Sequence, residues 1–137
     1  MIWNEKIETM SPENLKEIQS DRLKSMVKYI YANSSFYKKK LDAVGISPDS
    51  IKSIDDIKKL PFTTKEDMRD NYPYGLFSDP NNLAEIHVSS GTTGNPTLVG
   101  YTKEDLALWS EVMARSFCCA GAKGSTRRPD RDSIRDQ

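Results

Sequence analysis

The sequence predicts a mixed α/β chain, helix-rich in its N-terminal part, with a single β-hairpin further on. Three observations carry this. Capping signals followed by apolar residues at helical spacing recur from Ser11 to about Asn71. Period-two alternation then runs from Ala84 to Ser89, and a second short apolar run covers Leu98, Val99 and Tyr101. The stretch between those two runs is dense in glycine and hydroxyl residues, as a turn requires.

Taken in order, Ser11 as N-cap and Pro12 at the first helical position open a long amphipathic helix. Its apolar residues Leu15, Ile18, Leu23, Met26, Val27 and Ile30 keep helical spacing, and it should end near Asn33. A shorter helix is expected from Phe36 to Val44, with Gly45 as its left-handed stop. Ser53 with Asp56 reads as a capping box for a turn ending before Pro61, and Thr63 with Glu66 repeats the device for a helix to about Asn71. Tyr72-Pro73-Tyr74-Gly75 breaks regularity. After the hairpin, Thr102 with Asp105 caps a helix on which Leu106, Trp109, Met113 and Phe117 share a face, and Gly121 ends it. Helical spacing assigns Trp109 and Phe117 to the core, and core packing is also the reading for Tyr72, Tyr74 and Phe77.

Composition bounds the function. The 137 residues make about one domain with a modest core, at 36% hydrophobic and 29% charged residues. Lysine plus arginine (20) balances aspartate plus glutamate (20), which removes any global electrostatic case for nucleic acid or an anionic membrane. No apolar stretch approaches the roughly 20 residues that cross a bilayer, and Glu5 and Glu8 stand where a signal segment would be basic and then apolar. A cytoplasmic setting is expected. Cys118 and Cys119 are adjacent, which suits neither a long-range disulfide nor metal-ligand spacing, so two free thiols finishing a helix are expected. Lys38, Lys39 and Lys40 read as a solvated helix face.

The chemistry concentrates in Ser89-Ser-Gly-Thr-Thr-Gly-Asn-Pro-Thr97. Gly91 and Gly94 can take positive φ freely, which lets successive amides converge on an anion. The hydroxyls of Ser89, Ser90, Thr92, Thr93 and Thr97 can donate to the same oxygens, and Pro96 stiffens the exit. A P-loop of the Walker type is excluded, because Pro96 stands where its second glycine belongs and no lysine follows. A flexible polar turn remains the plain alternative. His87, the sole histidine, precedes the loop on the strand's polar side but lacks an obvious partner for acid–base work.

These residues also carry a family resemblance. Ser89 to Thr102 resembles the phosphate-loop signature of the adenylate-forming acyl-CoA synthetase superfamily, and Leu60 to Phe77 resembles the phenylacetate-CoA ligases within it. Trp3 to Met10, Leu15, Gln19, Arg22, Leu23, Phe36-Tyr37 and Gly45 follow the N-terminal pattern of that subfamily, so the likeness covers about Met1 to Gly121.

The resemblance implies an incomplete large N-terminal domain of an adenylate-forming enzyme, whose reaction has two steps. A carboxylate such as phenylacetate attacks the α-phosphate of ATP with magnesium assisting, and the thiol of coenzyme A then displaces AMP. Ser90, Gly91, Thr92, Thr93 and Gly94, with Ser89 and Thr97 at the margins, would grip the β- and γ-phosphates. No catalytic side chain or metal ligand is assigned. Asn95 departs from the pattern, which often has lysine there; asparagine donates a hydrogen bond without a positive charge. Similar ligases are commonly dimers. The acyl pocket, adenine site, hinge and catalytic lysine of the family would all follow Ala122, so 1–122 is expected to be the start of the large domain. Residues 123–137, with one aliphatic side chain and mixed charge, are expected to be a disordered tail, either out-of-frame or appended sequence or a native extension. The competing class is a non-catalytic helical interaction module whose glycine-threonine segment is only a turn.

Overall fold

The computed structural model describes residues 2–76, 80–89 and 96–122. A short helix, α1 (Glu5–Glu8), is capped by the Asn4 side chain. It leads into α2 (Pro12–Asn33), where Ser11 Oγ accepts from the Asn14 amide at 3.3 Å and proline occupies the first turn, as the sequence predicts. Helix α3 (Ser35–Ala43) follows after the single hinge residue Ser34.

The C-terminus of α3 shows why a glycine is needed there. The Gly45 amide donates to Asp42 O and the Ile46 amide to Leu41 O, both at 3.0 Å, with Gly45 at φ +69°. This reversal satisfies two carbonyls that a helix end leaves open, at a φ that other residues reach only at a cost.

Packing gathers around this reversal. Val27, Leu41 and Ile51 are buried, and Leu23, Tyr31, Ile46 and Leu60 close over them. Two 3-10 turns, Pro48–Ser50 and Ile54–Lys59, run back along α2. The second is pinned where Ser20 Oγ accepts from the Ile54 amide at 3.0 Å. At its start the Asp56 carboxylate accepts from the amides of Lys52 (2.8 Å) and Ser53 (3.2 Å). With the Lys59 ammonium beside it, and these amides adding to the effect, its pKa falls to about 2.

Helix α4 (Lys65–Asp70) starts one residue later than the Thr63–Glu66 pairing predicts. Thr64 is the cap: its hydroxyl accepts from the Asp67 amide (3.2 Å), and the Asp67 carboxylate accepts from the Thr64 amide (2.8 Å). Tertiary partners decide between the two registers. Lys40 of α3 donates to the Asp67 carboxylate, and the Thr63 hydroxyl is paired with Tyr37 Oη at 3.2 Å. The lysine run is therefore only partly a solvated face, since Lys38 also pairs with Asp42 and lies over the Tyr31 ring.

Strands β1 (Glu85–Val88) and β2 (Leu98–Tyr101) form a two-stranded antiparallel sheet. Helix α5 (Lys103–Cys119) begins with the Thr102–Asp105 capping box in full and closes with the same double reversal as α3. The Gly121 amide donates to Cys118 O, the Ala122 amide donates to Phe117 O, and Gly121 is at φ +93°. Both cysteines are free; Cys118 is buried and Cys119 exposed.

Candidate functional site

The hairpin is built by the alternation seen in sequence. Its register pairs Glu85 with Tyr101, Ile86 with Gly100, His87 with Val99 and Val88 with Leu98. One further bond, Ser89 N donating to Thr97 O at 3.0 Å, carries the ladder to the mouth of the glycine-threonine segment. Ser89 and Thr97 thus face each other across that mouth. The other expected phosphate-binding residues, Ser90, Gly91, Thr92, Thr93 and Gly94, lie outside the described residues, as does Asn95.

Thr97 carries the most informative atom here. Its Oγ1 is buried and finds no hydrogen-bond partner among the described residues. A buried hydroxyl without a partner is costly, and an anionic oxygen at the mouth would relieve it. The donor chemistry present therefore fits a phosphate group. Magnesium has no comparable set, because no group of three or more His, Cys, Asp or Glu among the described residues could hold a metal ion; no step below is routed through it.

Two expectations about the hairpin are corrected. The sequence placed Trp109 and Phe117 in the core and treated His87 as a polar-face residue without a partner; His87 does stay 46% exposed at its side chain, but its ring meets Tyr101 and helix α5. The Trp109 ring stacks on Tyr101 at 5.2 Å between centroids and lies 5.7 Å from His87, which meets Tyr101 edge-on at 5.0 Å. His87 Nε2 lies 3.2 Å from Glu85 Oε2. Ile86 and Val88, on the other side, are 47% and 58% exposed. Trp109 is 42% and Phe117 57% exposed, so neither is a core residue; the less exposed positions of α5 are Leu106, Glu111, Ala114, Arg115 and Cys118.

Two contributors escaped the sequence reading. Gly100 leaves room for Leu83, whose terminal methyls a Cβ there would meet at 2.7 Å and would have to displace. An isolated glycine in a strand was the available signal. Glu111 on α5 accepts from Trp3 Nε1 (2.6 Å) and Asn4 Nδ2 (2.8 Å), strapping the N-terminus across the helix. The Asn4 and Trp3 donors, with Arg115 nearby, lower the Glu111 pKa below the usual carboxylate value. Nothing local in sequence pairs positions so far apart.

No family model matches the chain. Curated relatives do: a phenylacetate-coenzyme A ligase of Thermus thermophilus is 46% identical over 124 residues, covering 90% of this chain and 28% of the relative. Ligases of the same name from Aromatoleum evansii (48%, covering 87% of this chain and 27% of the relative) and Escherichia coli (46%, covering 88% and 29%) agree. Among solved structures, an open conformation of 2-hydroxyisobutyryl-CoA ligase in complex with 2-HIB-AMP and CoA superposes with a TM-score of 0.79 at 26% identity, over 89% of this chain and 29% of that one. The same ligase in the thioesterification state gives 0.76 at 29% identity, over 83% and 25%.

The helix-rich lobe followed by a two-stranded hairpin is thus the N-terminal part of the adenylate-forming CoA ligase fold. Within that class the chain falls in the phenylacetate-CoA ligase family, and it spans between a quarter and a third of the length of the curated relatives it matches.

Proposed function

We propose that the chain is the pyrophosphate-gripping part of an AMP-forming ligase acting on phenylacetate or a related aryl acid. In that reaction the acid's carboxylate oxygen attacks the α-phosphorus of ATP, the bond to the β-phosphate oxygen breaks, and pyrophosphate leaves with the developing charge. Coenzyme A thiolate then attacks the acyl carbonyl and AMP departs. The role of this chain is electrostatic: amides and hydroxyls held at the hairpin mouth meet charge as it builds on the leaving group. What supports the reading above all is the frame itself, an antiparallel ladder carried to Ser89–Thr97 with the Thr97 hydroxyl unpaired among the described residues.

Titrating pyrophosphate or ATP against the 15N-labelled chain tests this. Saturable shifts at the Thr92, Thr93 and Thr97 amides are expected, and Thr97→Val should weaken pyrophosphate about tenfold, the effect of one lost hydrogen bond to a charged group. A well-folded spectrum that stays silent would favour the alternative, a helical interaction module, for which the exposed Met26, Tyr29 and Leu108 are the relevant surface. On the ligase reading, the acid, adenine and thiol sites belong to the portion of the relatives that this chain does not match. The 137 residues alone are then expected to release no pyrophosphate in a coupled assay. Cytoplasmic location and homodimerisation belong to the same proposal; among the described residues no helix is long and apolar enough to cross a membrane.

A further inference from the structure

An open-sided pocket of about 180 Å³ sits where the helical lobe meets the hairpin, beside Leu98, the residue that follows Thr97. It is walled by Tyr37 of α3, Thr63, Met68 and Asn71 on either end of α4, Leu76, and Leu98 of β2. Apolar cavities of about 150 Å³ stay dry and accept a benzene ring, so this one has room for a single aromatic ring with a small substituent. Met68, Leu76 and Leu98 give it apolar walls, and a thioether is a favourable neighbour for a ring edge.

One wall is polar. Tyr37 Oη and Thr63 Oγ1 lie 3.2 Å apart and either can be the donor, so together they can both give and take a hydrogen bond with a third hydroxyl. The head group they suit is neutral. Among the described residues no lysine, arginine or histidine lines the pocket, so a carboxylate entering it would lose water without gaining a counter-charge from them.

We propose that this cavity binds a small neutral aromatic carrying one hydroxyl, a phenol-class ligand, and that it is separate from the site for the acid. An occupant would touch α3, α4 and β2 at once, bridging the lobe and the strand that leads out of the glycine-threonine segment.

The test is a methyl- and amide-detected NMR titration of the whole chain with phenol, toluene and phenylacetate in parallel. Phenol is expected to give saturable millimolar-range shifts at Met68, Leu76 and Leu98, with toluene and phenylacetate each about tenfold weaker there, because toluene makes no hydrogen bond to the hydroxyl pair and phenylacetate would shed water from its charge without gaining a counter-charge. Thr63→Val should narrow the gap between phenol and toluene. No saturable shift at those methyls in the wild-type chain overturns the site. Equal binding of toluene overturns the role of the hydroxyl pair, and equal or tighter binding of phenylacetate overturns the neutral-ligand assignment. The wild-type arms decide these points even if the Thr63 variant does not fold, and none depends on whether pyrophosphate binds at the hairpin.

Discussion

The helical lobe and the hairpin with its helix are held together in different ways. The lobe closes on itself: Val27, Leu41 and Ile51 are 1–2% exposed, and the polar groups around them are satisfied by turns and caps. The hairpin has no such centre. All four residues of β1 are exposed, and its order rests on its ladder, on one aromatic stack with α5, and on capping boxes and reversals encoded within a few residues. Burial sustains the first region and directional contacts sustain the second. If the chain grips pyrophosphate as proposed, the gripping segment is carried on the second kind of support.

Substitutions can break this contrast. Leu41→Ala should destabilise the lobe by about 2–5 kcal/mol, the usual cost of emptying a buried leucine site. Urea unfolding followed by circular dichroism should show the loss; a change below about 1 kcal/mol would mean that the lobe lacks the closed centre described. Trp109→Ala should cost only about 1 kcal/mol, because the stack with Tyr101 is half open to water. Its signature is faster amide exchange in β1 and β2 with the lobe unchanged, and uniform acceleration throughout would contradict the separation of the two regions.

Acid sharpens the comparison with the smallest effect. Glu111 has a folded pKa below its ordinary 4.5, so its contribution is fully present above that value and is lost as pH falls through the lowered one. Asp56 behaves likewise, its contribution fading between the ordinary 3.8 and about 2. Trp3 fluorescence should therefore report release of the N-terminal strap as pH falls below the ordinary 4.5 of Glu111. A signal that stays flat in acid would dissociate the strap from Glu111.

What the sequence made legible follows the same division. Ser11, Gly45, Thr102 and Gly121 were readable because a cap or a left-handed stop is chemistry confined to a few residues. Thr63 and Thr64 were not separable, because Glu66 and Asp67 offer both registers a box and only Lys40 and Tyr37, distant in sequence, choose between them. Alternation in β1 defined two faces without saying which one α5 would meet, and both stay half-exposed, His87 at 46% of its side chain and Ile86 at 47%. The hairpin itself was legible in the flanking runs, whereas Gly100 and Glu111 act through partners that no window of sequence contains.

The bond from Trp3 to Glu111 spans 108 positions. During synthesis, which proceeds from the N-terminus at about 5–20 residues per second, the lobe has every residue it needs once Leu60 has emerged. The first few amino acids, by contrast, wait for α5, whose Glu111 is translated much later, and until then the Trp3 indole N–H lacks the partner it has here.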